Sequence, residues 1–288
     1  MPSSKCSSAS PAPNPPISRP AAGLTLTQPE RGYRYSLDPF LLAGFSRPRP
    51  RERILDLGAG AGVIGLLLAR SHPTVRVVGV ELQPELARHA AANALANGLA
   101  DRCHLIRADL REAPRFLPAE HFHRVVANPP FRKAGSGATP PDPARAAARH
   151  EATFGIADLA RVAAALLRFG GALDVIHIAG RLPELIVALA ANGLEVKELR
   201  FVAPFPATPP RLCLVSAVKG GRPGLRVLPP LVVHDRPGRY ADEVLALLHP
   251  ERRKGGRAEK TLGGNQLRHR DNWTILPRTE IDDNGAGI

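Results

Sequence analysis

The chain has 288 residues, a net charge of +13, and 44% apolar but only 5% aromatic residues, enough to bury a core, which excludes a wholly disordered or collagen-like protein. Cys6, Cys103 and Cys213 are scattered without a C-x-x-C pair, so neither a disulfide framework nor a metal site is expected. The best candidate for a spanning helix, Leu159 to Ile178, is broken by Arg161, Arg168 and Asp174, and no apolar leader opens the chain, so a cytoplasmic protein without a membrane partner is expected.

Residues 1–22 are rich in Ser, Pro and Ala and are expected to be a disordered extension. A single domain is expected over 23–250, and a loosely ordered tail over 251–288, where eight basic and six acidic residues surround Trp273. The basic excess is +3 over 23–53, +1 over 54–131 and +5 over 132–250. A nearly neutral centre between cationic flanks suits a polyanion binder with a small-molecule pocket. A coding bias is the bland alternative, since 33 of the 39 cations are Arg.

From Arg53 onward strands and helices alternate. Arg53 to Leu57, Val75 to Val80, Cys103 to Arg107 and Arg124 to Ala127 read as strands, with helices at Val63 to Arg70 and Pro84 to Asn97, the second stopping at Gly98. A helix from Ala157 to Leu167, a strand from Ala172 to Ile178 and a helix from Arg181 to Ala191 continue the pattern. Val196 to Val202 and Leu212 to Val218 follow with too short a link for a crossover helix, so they form an antiparallel hairpin. The expected fold is α/β, a Rossmann-like sheet of seven mostly parallel strands that ends in this hairpin.

The first βα turn reads Asp56-Leu-Gly58-Ala-Gly60-Ala-Gly62, and Glu81 closes the second strand. Glycines let the backbone approach a nucleotide, and an acid at the end of strand two bonds a ribose diol. Gly60-x-Gly62-x-x-Gly65 also satisfies the dinucleotide fingerprint. Asp56 discriminates: a carboxylate here repels the pyrophosphate of NAD or FAD and favours S-adenosylmethionine, a cation without phosphate. A purely structural tight turn is the other alternative. Asp109, after the third strand, is placed to accept from the adenine amino group of such a donor, or else to cap a helix.

Asn128-Pro129-Pro130-Phe131 stands at the carboxyl end of strand four, next to the switch point of the sheet. A conjugated amino group is a poor nucleophile because its lone pair is delocalised. The Asn128 side-chain oxygen and the Pro129 carbonyl can accept its two hydrogens and turn the lone pair toward a methyl group, while the prolines fix the backbone. Phe131 would stack on an unstacked base. The competing reading is a plain strand stop. His121-Phe-His123, without a matching acid or Cys nearby, reads as a solvated turn.

Taken in this order, the motifs resemble class I S-adenosylmethionine-dependent N-methyltransferases. Arg31-Gly-Tyr-Arg-Tyr-Ser-Leu-Asp-Pro-Phe-Leu-Leu-Ala43 and Ala144-Arg-Ala-Ala-Ala-Arg-His-Glu151 narrow the resemblance to the bacterial tRNA(Val) adenine-N6 methyltransferases. The resemblance implies donor binding at Asp56, Gly58, Gly60, Gly62, Glu81, Asp109 and Asn128, with Arg34, Ser36 and Asp38 near the methionine end of the donor, or else capping a helix from Pro39 to Phe45. It implies catalysis at Asn128, Pro129, Pro130 and Phe131, and a monomer acting on adenine N6 at position 37 of a tRNA. Asn-Pro-Pro-Phe also occurs in guanine-N2 methyltransferases of ribosomal RNA. That target, a protein glutamine, and a non-catalytic donor- or RNA-binding module stay open as alternatives.

Overall fold

The computed structural model describes residues 17–29, 36–129 and 155–249. Strands β1 (Ile17–Ala21) and β2 (Leu24–Gln28) form an antiparallel hairpin, followed by helix α1 (Asp38–Phe45). Alternation then begins with β3 (Arg53–Leu57), α2 (Val63–Ser71), β4 (Arg76–Glu81), α3 (Pro84–Ala96), β5 (Cys103–Arg107), the short α4 (Ala113–Phe116) and β6 (Phe122–Ala127). It continues through α5 (Ile156–Leu166), β7 (Leu167–Ile178), α6 (Leu182–Ala191), β8 (Leu194–Ala203) and β9 (Leu212–Lys219). Last come β10 (Arg226–Val232), the small pair β11 (His234–Arg236) and β12 (Arg239–Tyr240), and α7 (Asp242–Leu248).

The main sheet has the order β10-β8-β9-β7-β6-β3-β4-β5, and β9 alone runs against its neighbours. This is the expected doubly wound sheet with its terminal hairpin, carrying one strand more than the seven expected. The extra strand, β10, contains Pro229 and Pro230, which cannot donate to a ladder. It survives because it lies on the edge and breaks register between Leu228 and Leu231. The stretch expected to be disordered also shortens, because Ile17–Ala21 pairs with β2 from Ile17↔Gln28 to Ala21↔Leu24.

Side chains alternate across the sheet, so each face has its own core. Ile54, Val77, Val126, Ile176 and Leu214 pack in the cluster that holds α1, α2 and α7, whereas Leu55, Val80, Val125, Leu173, Val175 and Val215 pack in the one that holds α5 and α6. The hairpin joins the first cluster through Leu24 and Leu26, and the Ala22 amide donates to the Leu248 carbonyl (2.9 Å).

The outer edge of β2 would leave backbone groups unpaired. Two asparagines one turn apart satisfy it, Asn93 on α3 and Asn97 just past its end. Asn97 accepts from the Thr25 amide (2.9 Å) and donates to its carbonyl (2.8 Å), and Asn93 does the same with Thr27 (2.7 and 3.0 Å).

At the opposite, amino edge of the sheet, Arg124 of β6 is buried between two acids. It donates to Glu52 (3.1 Å), to Asp174 (2.5 Å) and to the Arg47 carbonyl (3.1 Å). No helix among the described residues is long and apolar enough to cross a membrane.

Candidate active site

β3 leads to β4 on one side while its other neighbour, β6, leads to β7 on the opposite side. The strand order therefore reverses between β3 and β6, and the crevice at their carboxyl ends is where this architecture binds ligands. Leu57 and Ala127 are register partners there, so the glycine turn after β3 and Asn128 after β6 emerge side by side. Asn128 is half-buried and Pro129 buried.

The turn takes its shape from its glycines. Gly58, Gly60 and Gly62 have φ of +79°, +56° and +81°, a region that side chains with a Cβ rarely enter. The Gly58 and Ala59 amides both donate to the Val80 carbonyl (2.9 and 3.1 Å), and Gly62 donates to Ala59 (2.8 Å). Gly65 has a different role, since a Cβ on it would lie 2.9 Å from Val77 Cγ1; it lets α2 settle on the sheet.

Glu81, at the end of β4, braces this turn. Its Oε2 accepts from the Gly60 amide (2.9 Å) and its Oε1 from the Gln83 amide (2.8 Å). Each oxygen keeps a second lone pair for a ligand hydroxyl.

Asp56 is only 1% exposed. Its Oδ2 accepts from the Gly65 amide (3.1 Å), and its Oδ1 is buried without a partner among the described residues. Burial pushes the carboxyl up to about 7; the Gly65 amide opposes that shift and the charge of Glu81 adds to it. A buried acid with an orphaned oxygen is poised for a cation or a hydrogen-bond donor.

Asp109 performs the capping role weighed for it. Its Oδ1 accepts from the Arg111 amide (2.8 Å) at the start of a short turn of helix, and the Arg111 guanidinium closes on both oxygens (2.6 to 3.1 Å). Those hydrogen bonds hold its carboxyl below the usual range. Leu110 beside it points at Gly58, 3.7 Å from where a Cβ would stand, so the loop after β5 borders the same crevice.

Asp38 opens α1, and its amide donates to Ser36 Oγ (3.3 Å). Arg34, Pro130 and Phe131 lie outside the described residues.

One participant escaped the sequence reading. Asn93 is fully buried and, besides holding Thr27, donates to the Ala61 carbonyl inside the glycine turn (2.9 Å). Polar residues four apart in the otherwise alanine-rich α3 were the available signal. It could not be read without knowing that β2 passes that face. No group of metal-binding side chains occurs among the described residues.

A Rossmann-like sheet with this glycine turn, braced by an acid and set beside Asn128-Pro129 at the switch point, defines a methyltransferase, and the methyltransferase small domain family model matches residues 38–177. A protein of Agrobacterium tumefaciens described as a predicted O-methyltransferase has a similar crystal structure, with a TM-score of 0.60 and 27% identity over 73% of this chain and 94% of that one. A tRNA1(Val) (adenine(37)-N6)-methyltransferase of Porphyromonas gingivalis strain W83 is 32% identical over 69% of this chain and 79% of its own length. The counterpart from strain ATCC 33277 is 32% identical over 75% and 88%, and that of Tolumonas auensis is 29% identical over 75% and 82%. The chain belongs to the tRNA1(Val) (adenine(37)-N6)-methyltransferase family.

Proposed function

We propose that this protein transfers a methyl group from S-adenosylmethionine to N6 of adenine 37 in a tRNA. The observation that carries the reading is the pairing of a phosphate-repelling, glycine-lined donor crevice with Asn128-Pro129 at one switch point, in a chain whose family is named for that reaction.

The residues present fit the donor. The orphaned Asp56 Oδ1 suits the ammonium end of a cationic ligand and opposes a pyrophosphate. Glu81 would accept from the ribose hydroxyls while it continues to brace Gly60, and Asp109 would accept from the adenine amino group while Arg111 holds it. The Gly58 to Gly62 turn lets the backbone come close to the ligand. Bound there, S-adenosylmethionine supplies an electrophilic methyl group.

The chain's own work is then positional. The Asn128 side-chain oxygen and the Pro129 carbonyl accept the two hydrogens of the target amino group. This holds the nitrogen toward sp3 geometry, with its lone pair aimed along the line of attack. Phe131 would stack on the base. Neither a metal nor a strong general base is needed for such help. Arg34 and Asp38 complete the proposed set at the methionine end, and a cytoplasmic monomer with a tRNA partner is the matching setting.

Nucleoside mass spectrometry of tRNA from a methylation-deficient strain, incubated with enzyme and labelled donor, tests the reading. N6-methyladenosine is the expected product. Asn128→Ala is expected to lower turnover at least ~100-fold, the scale of losing one transition-state contact, while calorimetry still detects donor binding. N2-methylguanosine, or label only in protein, would move the assignment to another amino group.

A further inference from the structure

The arginines of residues 49–53 do not sit at the crevice. Arg49, Arg51 and Arg53 belong to Ser46-Arg-Pro-Arg-Pro-Arg-Glu-Arg53, which enters β3 at the amino edge of the sheet, the edge opposite Asn128. Glu52, the acid of that run, is turned inside and consumed by Arg124, so it does not neutralise its neighbours.

The strand register continues the row. Arg53 is the register partner of Arg76, the first residue of β4, and both are exposed. On the other side the Arg53 amide donates to His123 Nδ1 (3.2 Å) and its guanidinium to the His121 carbonyl (3.0 and 3.1 Å). Arg168, exposed near the start of β7, stands close enough to His123 to help hold that imidazole below its ordinary range, behind burial and alongside Arg53.

Four adjacent strands, β4, β3, β6 and β7, thus present Arg76, Arg53, His123 and Arg168 along one edge at strand spacings of about 5 Å. Arg49 and Arg51 stand in the loop before them. Thr74 anchors that loop by accepting from the Arg51 amide (3.0 Å). Glu120 at this edge is taken by Lys219 (2.8 Å), and Asp101 lies beyond the row, beside Arg102. Arg49, Arg51, Arg76 and Arg168 have no carboxylate partner among the described residues.

Like charges at this spacing repel unless a polyanion joins them. Arginine is the cation suited to phosphate, which it can grip with two parallel hydrogen bonds. A six-residue strand such as β6 spans about 20 Å, so this edge lies roughly 20 Å from the catalytic turn. Even a B-form duplex, with one phosphate per strand about every 3.4 Å of its axis, passes several phosphates over such a length, so a tRNA running down the side of the domain can meet more than one of these arginines.

We propose that the amino edge, from Arg49 and Arg51 through Arg76, Arg53 and Arg168, is a second, remote phosphate-contact surface for the tRNA whose adenine enters the crevice. The proposal rests on the tRNA reading above. It assigns these arginines to affinity and orientation, leaving the chemistry to the opposite edge.

The test compares wild type with the triple variant Arg49→Ala/Arg76→Ala/Arg168→Ala on a full-length tRNA transcript, by filter binding between 50 and 200 mM salt and by steady-state methylation. Three lost phosphate contacts should flatten the log affinity against log salt plot by about 2 to 3 units. The tRNA KM should rise about tenfold or more at the lower salt, with kcat, donor affinity and thermal midpoint unchanged. An unchanged salt slope and KM in a variant chain that still methylates tRNA would overturn the proposal. So would tighter binding of wild type to phosphatidylserine vesicles than to tRNA, lost in the variant, which would make the edge a membrane contact. If wild type binds tRNA and the variant loses that salt-dependent binding, but no methyl group reaches tRNA, the surface stands and the functional reading fails.

Discussion

Donor binding should be linked to the ionisation of Asp56. Burial pushes the free carboxyl up from its ordinary 3.8 to about 7, so between about pH 4 and 7 the folded chain holds a proton that the unfolded chain has released. The stabilisation is full below pH 4 and is lost as pH rises through 7, with a total on the order of 4 kcal/mol at ~1.4 kcal/mol per unit. The cationic donor needs the opposite form, the carboxylate. If it binds only that form, affinity falls about sixfold from pH 7.5 to pH 6, and above about pH 8 it declines again as the donor's own α-amino group loses its proton. Asp56→Asn removes the titration, so its weaker binding should be flat across pH 6 to 7.5, and its thermal midpoint at pH 8 should exceed that of wild type because no charge is buried. Isothermal titration with S-adenosylhomocysteine, which keeps the ammonium group, and thermal scans in matched buffers provide the measurements. Equal wild-type affinity at pH 6 and 7.5, or an Asn variant that retains the slope, would refute the reasoning and place the proton elsewhere.

Two further perturbations separate scaffold from site. Arg124→Met leaves Glu52 and Asp174 buried without their cation, which should cost ~3 to 5 kcal/mol in denaturant unfolding while the folded fraction binds donor within about twofold of wild type. Asn93→Ala and Asn97→Ala each strip one clamp from β2 and should cost ~1 to 3 kcal/mol. Only Asn93→Ala also frees the Ala61 carbonyl, so calorimetry should find weakened donor binding in that variant alone.

The strands and helices from β3 to β9, except the short α4, were legible because most are bounded by glycine, proline or asparagine and carry their own apolar period. The observed ends differ by a residue or two except at β7, which begins at Leu167 instead of Ala172, running back through Gly170 and Gly171 where the glycines suggested a break. What stayed hidden depended on partners remote in sequence. β1 includes Pro20 and reads as linker until β2 pairs with it, and β10 reads as loop until β8 offers an edge. The proposed site could be read from its glycine turn and its Asn-Pro step, where local backbone geometry and chemistry coincide. The competition for Asp109 was foreseen as capping, but its grip by Arg111 was not. The arginines of residues 47–53 were visible as a cationic flank but not as a row along one edge, because the direction in which β3 leaves them is a property of the sheet.

Two aspartates buried to the same degree, 1% exposed, show where this fold leaves a charge unanswered. Asp174 meets Arg124 at 2.5 Å, an arrangement that satisfies it within the protein. Asp56 meets only the Gly65 amide, with the like charge of Glu81 nearby and one oxygen unpartnered. A protein cation beside Asp56 would stabilise the folded chain, and it would also occupy the position proposed for the donor's ammonium group. The two aspartates stand in one row of the sheet, each a register partner of Val126, so what separates them is the presence or absence of a protein cation and not their depth along the strands. This asymmetry supports Asp56 as the proposed donor contact on physical grounds that do not depend on the motif in which it stands.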